Sequence, residues 1–569
     1  MTHVWKAYRR LAIGIAVLAT VGTPLIARAS QCGDLNNNGS VTTADVTKLR
    51  RVIAGLESAA TQCGGAGALQ CGDIRQDGAL APSDVVVLLN FLAGNPTIFP
   101  ICQGPGNAIP RGTVISTNIT NNQTWTAGGE VCCAAPGAAA DITIDGTIFV
   151  NPGVTVTINP GTVIKEKKTS HDGSPSVLVF LKGSKINAPG RSDCPIIFTS
   201  DQPPGSRGSG DTGGLVLNGN APSNCSGTGA GSCFAEGLIN VPFSGPDPND
   251  SSGLLRFVRV EFSGIELNPD NELNVITYNG VGAATQADHL QANVGGDDCH
   301  EWFGGTMSAK FLVSSGCADD MFDTQLGTVG SFQFCFGADF QSNLQAGNGN
   351  NGYEWDDNEN NLVATPINDP KFCNVTMMGT KQEANASGGA GALLRRGTNG
   401  KIADTIMTKF FGGGIIFAND ETMAQACTKP GGTPTLVPNG LTFRNNIMFD
   451  NGPGATNVNI TTSSLTTGCT ADEWYNLQTG NDPATSAGTG GNPFSGAISY
   501  PTSVADADAK YIPPAGGTAA THGVDCAAVF GSLPFAKFNS GAAYVGAFQP
   551  GSATSWLDNT SCWISFAKN

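Results

Sequence analysis

From residue 112 onward, short apolar runs alternate with turns. "GTIFVNPGVTVTINPGTVI", "SVLVFLKGSKINAPG", "CPIIFTS", "GGLVLNG" and "LLRFVRVEFSG" are rich in β-branched and aromatic residues, and Asn-Pro-Gly and Ala-Pro-Gly supply the breaks. This pattern predicts a mainly β fold and leaves a sandwich, a propeller and a solenoid open. A recurrence of 22 residues chooses among them, because Ala287-Asp288-His289-Leu290-Gln291, Ala309-Lys310-Phe311-Leu312-Val313 and Ser331-Phe332-Gln333-Phe334-Cys335 follow one another at that step. Gly282 and Gly304 keep it, as do Gly305 and Gly327. Three short strands with their turns fill such a length, the coil of a right-handed parallel β-helix in which each strand pairs with its copy one coil above.

The same step returns Asp297, Asp298 and Glu301 as Asp319, Asp320 and Asp323. Coils lie about 4.8 Å apart, so these acids are expected to stand in vertical files. Two unit charges about 5 Å apart repel by roughly 0.8 kcal/mol in water and roughly 3 kcal/mol at an effective dielectric of 20. A file in a groove therefore needs a cation, a proton or an arginine. Beyond a Gly- and Asn-rich insertion, "GYEWDDNEN" places Glu354 over Asp323, and "ALLRRGTNGKIAD" offers Arg395 or Arg396 to the same face.

Composition agrees with many strands and turns: 76 glycines and 32 prolines accompany 40% hydrophobic residues. A net charge of -16 with 30 Lys and Arg argues against nucleic-acid partners and suits cations or neutral sugars. Residues 1–29 read as a signal peptide, with Lys6, Arg9 and Arg10 before an apolar run and Ala27-Arg28-Ala29 at its end. No later segment reaches the length of a membrane span. Export makes the 17 cysteines a disulfide framework with at least one thiol left over. Cys299 and Cys317 are expected to join adjacent coils, and Cys335 to be a buried free thiol.

Residues 32–102 hold a duplication, Cys32-Gly33-Asp34 recurring as Cys71-Gly72-Asp73, and Cys63 as Cys102, displaced by 39 residues. The simplest pairing is Cys32 with Cys63 and Cys71 with Cys102. "DLNNNGSVTTAD" sets Asp34, Asn36, Asn38, the Ser40 carbonyl and Asp45 at the ligand positions of an EF-hand loop, with Gly39 at its turn. A helix with Val46, Leu49, Val52 and Ile53 on its apolar stripe is expected to follow. The second copy keeps Asp73, Asp77 and Asp84 but puts Arg75 at a ligand position. This stretch resembles a dockerin, which implies calcium as cofactor and a cohesin-like partner; its tenth and eleventh loop positions, Thr43-Ala44 and Pro82-Ser83, do not match between copies, and a calcium-stabilised spacer with no such partner is the alternative.

Residues 112–557 resemble a group of secreted bacterial right-handed β-helix proteins through "INPGTVI", "CPIIFTS", "GGLVLNGNAP", "LLRFVRVEFSG", "YNGVGAATQADHLQ", "EWFGGTMSAKFLVSSG", "DDMFDTQLG", "LLRRGT" and "YVGAFQPG". The resemblance implies a fold and an extracellular setting, and no catalytic residue. The expected organisation is a signal peptide (1–29), a small α-helical EF-hand or dockerin-like calcium module (30–103), a linker (104–111) and a parallel β-helix with a C-terminal cap (112–569). For the paired acids three readings stand: turn chemistry, a calcium or ligand face of Asp297, Glu301, Asp319 and Glu354, and catalysis drawn from Asp298, Asp320, Asp323, Arg396 and Lys310. Trp302, Phe303 and Phe322 would wall a sugar site or, as aromatics in a β-helix more often do, stack in the core. The expectation is a secreted or cell-surface scaffold for polysaccharide or matrix; a lyase or glycoside hydrolase, and a subunit that self-associates through its terminal coils, are the alternatives.

Overall fold

A computed structural model of the chain describes residues 43–54, 108–127, 139–225, 233–268, 271–340, 350–381, 389–453, 460–463, 468–488 and 490–569, with a few single residues between 56 and 89. The chain divides into two units, Met1–Pro105 and Gly106–Asn569. In the first, a helix spans Thr43–Ile53 and buries Asp45, Val46, Leu49 and Val52. Asp34, Asn36, Asn38, Ser40, Asp73, Asp77, Asp84 and the four cysteines of the duplication lie outside the described residues.

The second unit is a parallel β-helix. Among the described residues, a broad sheet of 15 strands and a narrow sheet of 10 strands run its length, all their pairings parallel. In the narrow sheet Ile276–Asn279, His300–Phe303, Phe322–Gln325, Tyr353–Asp356 and Ala390–Arg395 stack in chain order, one strand per coil. In the broad sheet the step is 22 residues from Ala287 to Ala309, but Ala309 pairs with Phe332, not with Ser331. The expected register is thus corrected by one residue, taken up between the strands. Since strand side chains alternate in direction, the expected pairing would have turned Phe332 and Cys335 out of the core they fill. Gly305 and Gly327 repeat because both hold positive φ, 88° and 83°, which glycine adopts without strain.

The interior is aromatic. Tyr278, His300, Trp302, Phe322, Tyr353 and Trp355 are all fully buried, with ring centroids 5.0 Å apart for Tyr278–Trp302 and 5.9 Å for His300–Phe322. Burial pushes the His300 imidazole down to about 3, so it is a neutral member of the stack. Cys299–Cys317 joins successive coils, Cys225–Cys233, Cys373–Cys526 and Cys427–Cys469 are also bonded, and Cys335 is free and buried.

Each long strand of the broad sheet bends at one left-handed residue: Phe257 (φ 47°), His289 (55°), Phe311 (58°), Phe334 (60°), Asn374 (54°) and Asp404 (50°). The bend turns these side chains outward, and the first four stack at 4.2, 4.3 and 5.0 Å. The C-terminal segment lies over them. Trp563 meets Phe257 and His289 edge-on at 5.6 and 5.4 Å, and Trp556 meets Phe311 at 5.3 Å. Gln291 Oε1 accepts the Ser565 N–H at 2.8 Å, and Arg259 donates to the carbonyls of Cys562 and Trp563. On the narrow sheet, the hairpin of Cys233–Phe234 and Pro242–Phe243 packs Val241 and Phe243 against Val177, Val179, Val216 and Phe303.

Candidate functional site

Alternation along the narrow-sheet strands sorts the acids from the core. Phe322 and Thr324 point inward, so Asp323 points out, as do Glu301 before it and Glu354 after it. Glu301 pairs with Asp323 and Asp323 with Glu354, one per coil. Beside this strand file runs a turn file, Asn274, Asp298, Asp320 and Asn351. Its side chains clamp successive coils: Asn274 Oδ1 accepts the Asp298 N–H at 3.2 Å, Asp298 Oδ1 the Asp320 N–H at 2.7 Å, Asp320 Oδ1 the Asn351 N–H, and Asn351 Oδ1 the Ala390 N–H at 2.8 Å. Turn chemistry accounts for the positions of Asp298 and Asp320. It does not account for their charge, since neutral Asn274 and Asn351 do the same work. Asp297 and Asp319 form a third file, with Asp319 Oδ1 accepting the Asn350 N–H at 3.0 Å.

These files are not solvated. Asp298, Glu301, Asp320 and Asp323 are between 3% and 6% exposed, whereas Glu236, Glu272, Asp319 and Glu354 are half-buried. Glu301 accepts from Gln325 Nε2 at 2.8 Å and from Asn274 Nδ2. Asp323 Oδ1 is buried and accepts no hydrogen bond. Arg395 closes one end, donating to Glu354 and to Asp356 (2.7 Å), while Arg396 binds Asp356 at 2.7 Å and lies 3.6 Å from Glu359. From Glu261 to Asp369 the chain carries 17 carboxylates and, as its single Lys or Arg, Lys310.

Burial, reinforced by the neighbouring charges of Asp320, Asp297, Asp323 and Glu301, pushes Asp298 well above the ordinary carboxylate range. The same cause raises Asp297, Glu301, Asp320 and Asp323 well above it. Asp319 is raised by burial against the opposing pull of the Asn350 N–H and Arg395. Burial takes Glu354 up to about 7, with Asp356 adding and Arg395 opposing, and Glu236 up to about 8, with Glu272 and Glu359 adding. Three groups, Asp297–Asp298–Asp319, Asp298–Glu301–Asp323 and Asp320–Asp323–Glu354, each bring carboxylate oxygens within 4.8 Å of one another. An all-oxygen donor set with an unpartnered buried oxygen fits a hard divalent cation.

The structure therefore brings together Asp297, Asp298, Glu301, Asp319, Asp320, Asp323 and Glu354. Two expectations are corrected. Lys310 lies on the broad sheet, bonded to Asn539, and cannot serve this face. Trp302 and Phe322 face the interior, and Phe303 is 6% exposed within the apolar cluster under the hairpin, so none walls a sugar site. Glu236 and Glu272 were not legible as members. They belong to two hairpins, Glu236 between Cys233–Phe234 and Pro242–Phe243 and Glu272 opposite Glu266, at no periodic distance from the files, and their charges act on Asp297.

The family described as pectate-lyase-like β-helix domain matches residues 137–493, a span that contains every carboxylate of this face. Among curated proteins and among solved structures, nothing matches the chain.

Proposed function

The chain belongs to the family of pectate-lyase-like β-helix domains, and from that premise we propose that it is a secreted or cell-surface scaffold that holds polysaccharide on the acidic outer face of its narrow sheet, with calcium as its ion. The observation that carries this reading is the row of carboxylates on buried Glu301 and Asp323 and half-buried Glu354, flanked by Asp298 and Asp320, with arginine, among the described residues, at one end alone. A buried charge without compensation is costly, so the face favours whatever brings positive charge. Asp298, Glu301, Asp320, Asp323 and Glu354 would hold calcium, and the ion would supply the attraction between the carboxylates and the oxygens of a sugar chain. The disulfides favour an extracellular setting; among the described residues no helix is long and apolar enough to cross a membrane.

Binding rather than turnover is favoured by two features. Arg395 and Arg396 are both committed to carboxylates, leaving neither as a ready base. The acids stand side by side on one wall, whereas glycoside hydrolysis uses two carboxylates on opposite sides of the scissile bond. At the other end of the chain, the Asp34, Asn36, Asn38, Ser40 and Asp45 loop would bind calcium and tether the protein to a cohesin-like partner.

Titration calorimetry of the full chain against neutral, uronic and amine-bearing oligosaccharides, in calcium and in chelator, tests the reading. Binding that weakens in a folded Glu301→Gln/Asp323→Asn variant is expected. Failure of every polysaccharide to bind, or equal binding to that variant, overturns it. An Asp34→Ala variant separates the calcium taken up by the N-terminal loop.

A further inference from the structure

On the reading that polysaccharide sits on this face, we infer that the class it takes best is a linear polymer bearing free amines, whose ammonium groups enter the acidic files without a bridging ion. Three observations point there. The chain's own Arg395, which stands over Asp356 beside the file, donates N–H groups to Asp356 and to Glu354, so the last carboxylate of the file already has a nitrogen cation as its partner. Among the described residues no Lys or Arg donates a hydrogen bond to Glu301 or Asp323: Asp323 is 6% exposed, its Oδ1 accepts no hydrogen bond, and its carboxylate comes within 4.8 Å of those of Asp298 and Glu301 and of those of Asp320 and Glu354. The carboxylates also recur once per coil, at about 4.8 Å, so a polymer laid along the axis meets a fresh acceptor at each step.

The other sugar classes fit less well. A uronic polymer would add negative charge to a stretch holding 17 carboxylates and one lysine. A neutral or acetylated polymer would leave the carboxylates to hold their protons, whereas an ammonium can replace those protons with charge-assisted hydrogen bonds. The half-buried Glu236, Glu272, Asp319 and Glu354, more exposed than the file, would offer the first contact. Phe234 is 58% exposed and Ile239 91% exposed on the hairpin that carries Glu236, giving sugar rings an apolar surface.

The test is titration of the full chain, in chelator and just below neutral pH, with a glucosamine oligomer, its N-acetylated counterpart and a galacturonate oligomer, then again with calcium added. The glucosamine oligomer should bind in chelator about tenfold or more tighter than the acetylated one. Its affinity should fall with added salt, and with Glu301→Gln/Asp323→Asn. Equal affinity for the two oligomers on the unaltered chain overturns the inference whether or not that variant folds. Binding of the acetylated or galacturonate oligomer alone, and only with calcium, overturns it while leaving the proposed function standing. No binding by any of the three overturns both.

Discussion

The two outer faces of this β-helix carry the same kind of feature and finish it differently. On the broad sheet, the outward file of Phe257, His289, Phe311 and Phe334 is closed by the chain itself, which lays Trp556 and Trp563 across it and bonds Ser565 to Gln291. On the narrow sheet, the outward file of Glu301, Asp323 and Glu354 receives Arg395 at one end and, among the described residues, no hydrogen-bonded Lys or Arg along the rest. An apolar file is stabilised by any apolar cover, since burial is non-directional. A charged file is stabilised only by a matching charge at each step, and one arginine reaches only its own neighbourhood. The broad face is thus complete within the folded chain, whereas the narrow face is complete only with protons or a cationic partner.

The comparison breaks most readily at the cover. Trp563 is fully buried, so Trp563→Ala should cost about 3 to 5 kcal/mol, read as a lowered denaturant midpoint. An unchanged midpoint would mean that the C-terminal segment does not close the broad face.

The acidic face should declare itself through pH. Asp297, Asp298, Glu301, Asp319, Asp320, Asp323, Glu354 and Glu236 hold their protons more tightly in the folded chain than in the unfolded one, while Arg395 opposes at one end. The native state therefore carries the excess protons. Without added cations, stability should fall as pH rises from the ordinary carboxylate range through the raised values near 7 and 8 of Glu354 and Glu236. The slope is about 1.4 kcal/mol per pH unit for each excess proton. Thermal melts in chelator across that range measure it, and a rising or flat profile would contradict the crowding.

A smaller effect sharpens the same point. Asp320→Asn keeps an oxygen for the Asn351 N–H, as Asn274 and Asn351 do for their own neighbours, and removes one buried charge. It should stabilise the metal-free chain by about 1 kcal/mol above neutral pH. A loss of stability would mean that the charge itself serves the ladder. The smallest change is expected at the rim, where Phe234 is 58% exposed: Phe234→Ser should move stability by no more than about 0.5 kcal/mol, and a larger shift would show that the residue packs rather than waits for a ligand.

Much of the scaffold was legible in the chain. The step of 22 residues implied stacked coils, and with them the file of Glu301 and Asp323 and the Cys299–Cys317 bond, while the likeness of "GYEWDDNEN" to "CHEWFGG", at no fixed spacing, placed Glu354 over Asp323. The register from Ala309 onward was misread by one residue, because a turn can absorb an extra residue without leaving a mark on the hydrophobic pattern. The aromatic residues beside the acids were equally ambiguous. Trp302 and Glu301 are neighbours in sequence, and only the direction of the pleat sends one into the core and the other out.

By itself, then, the sequence determined what repeats: coil length, parallel stacking and which acids share a file, because like residues at a constant interval must lie over one another in a solenoid. The tertiary structure alone decided how each face is finished. Gln291 meets Ser565 across 274 residues, and Glu236 and Glu272, on hairpins of their own, come near enough for their charges to act on Asp297. Such contacts follow no period, and they set the burial that turns an ordinary row of carboxylates into one that holds its protons or calls for a cation.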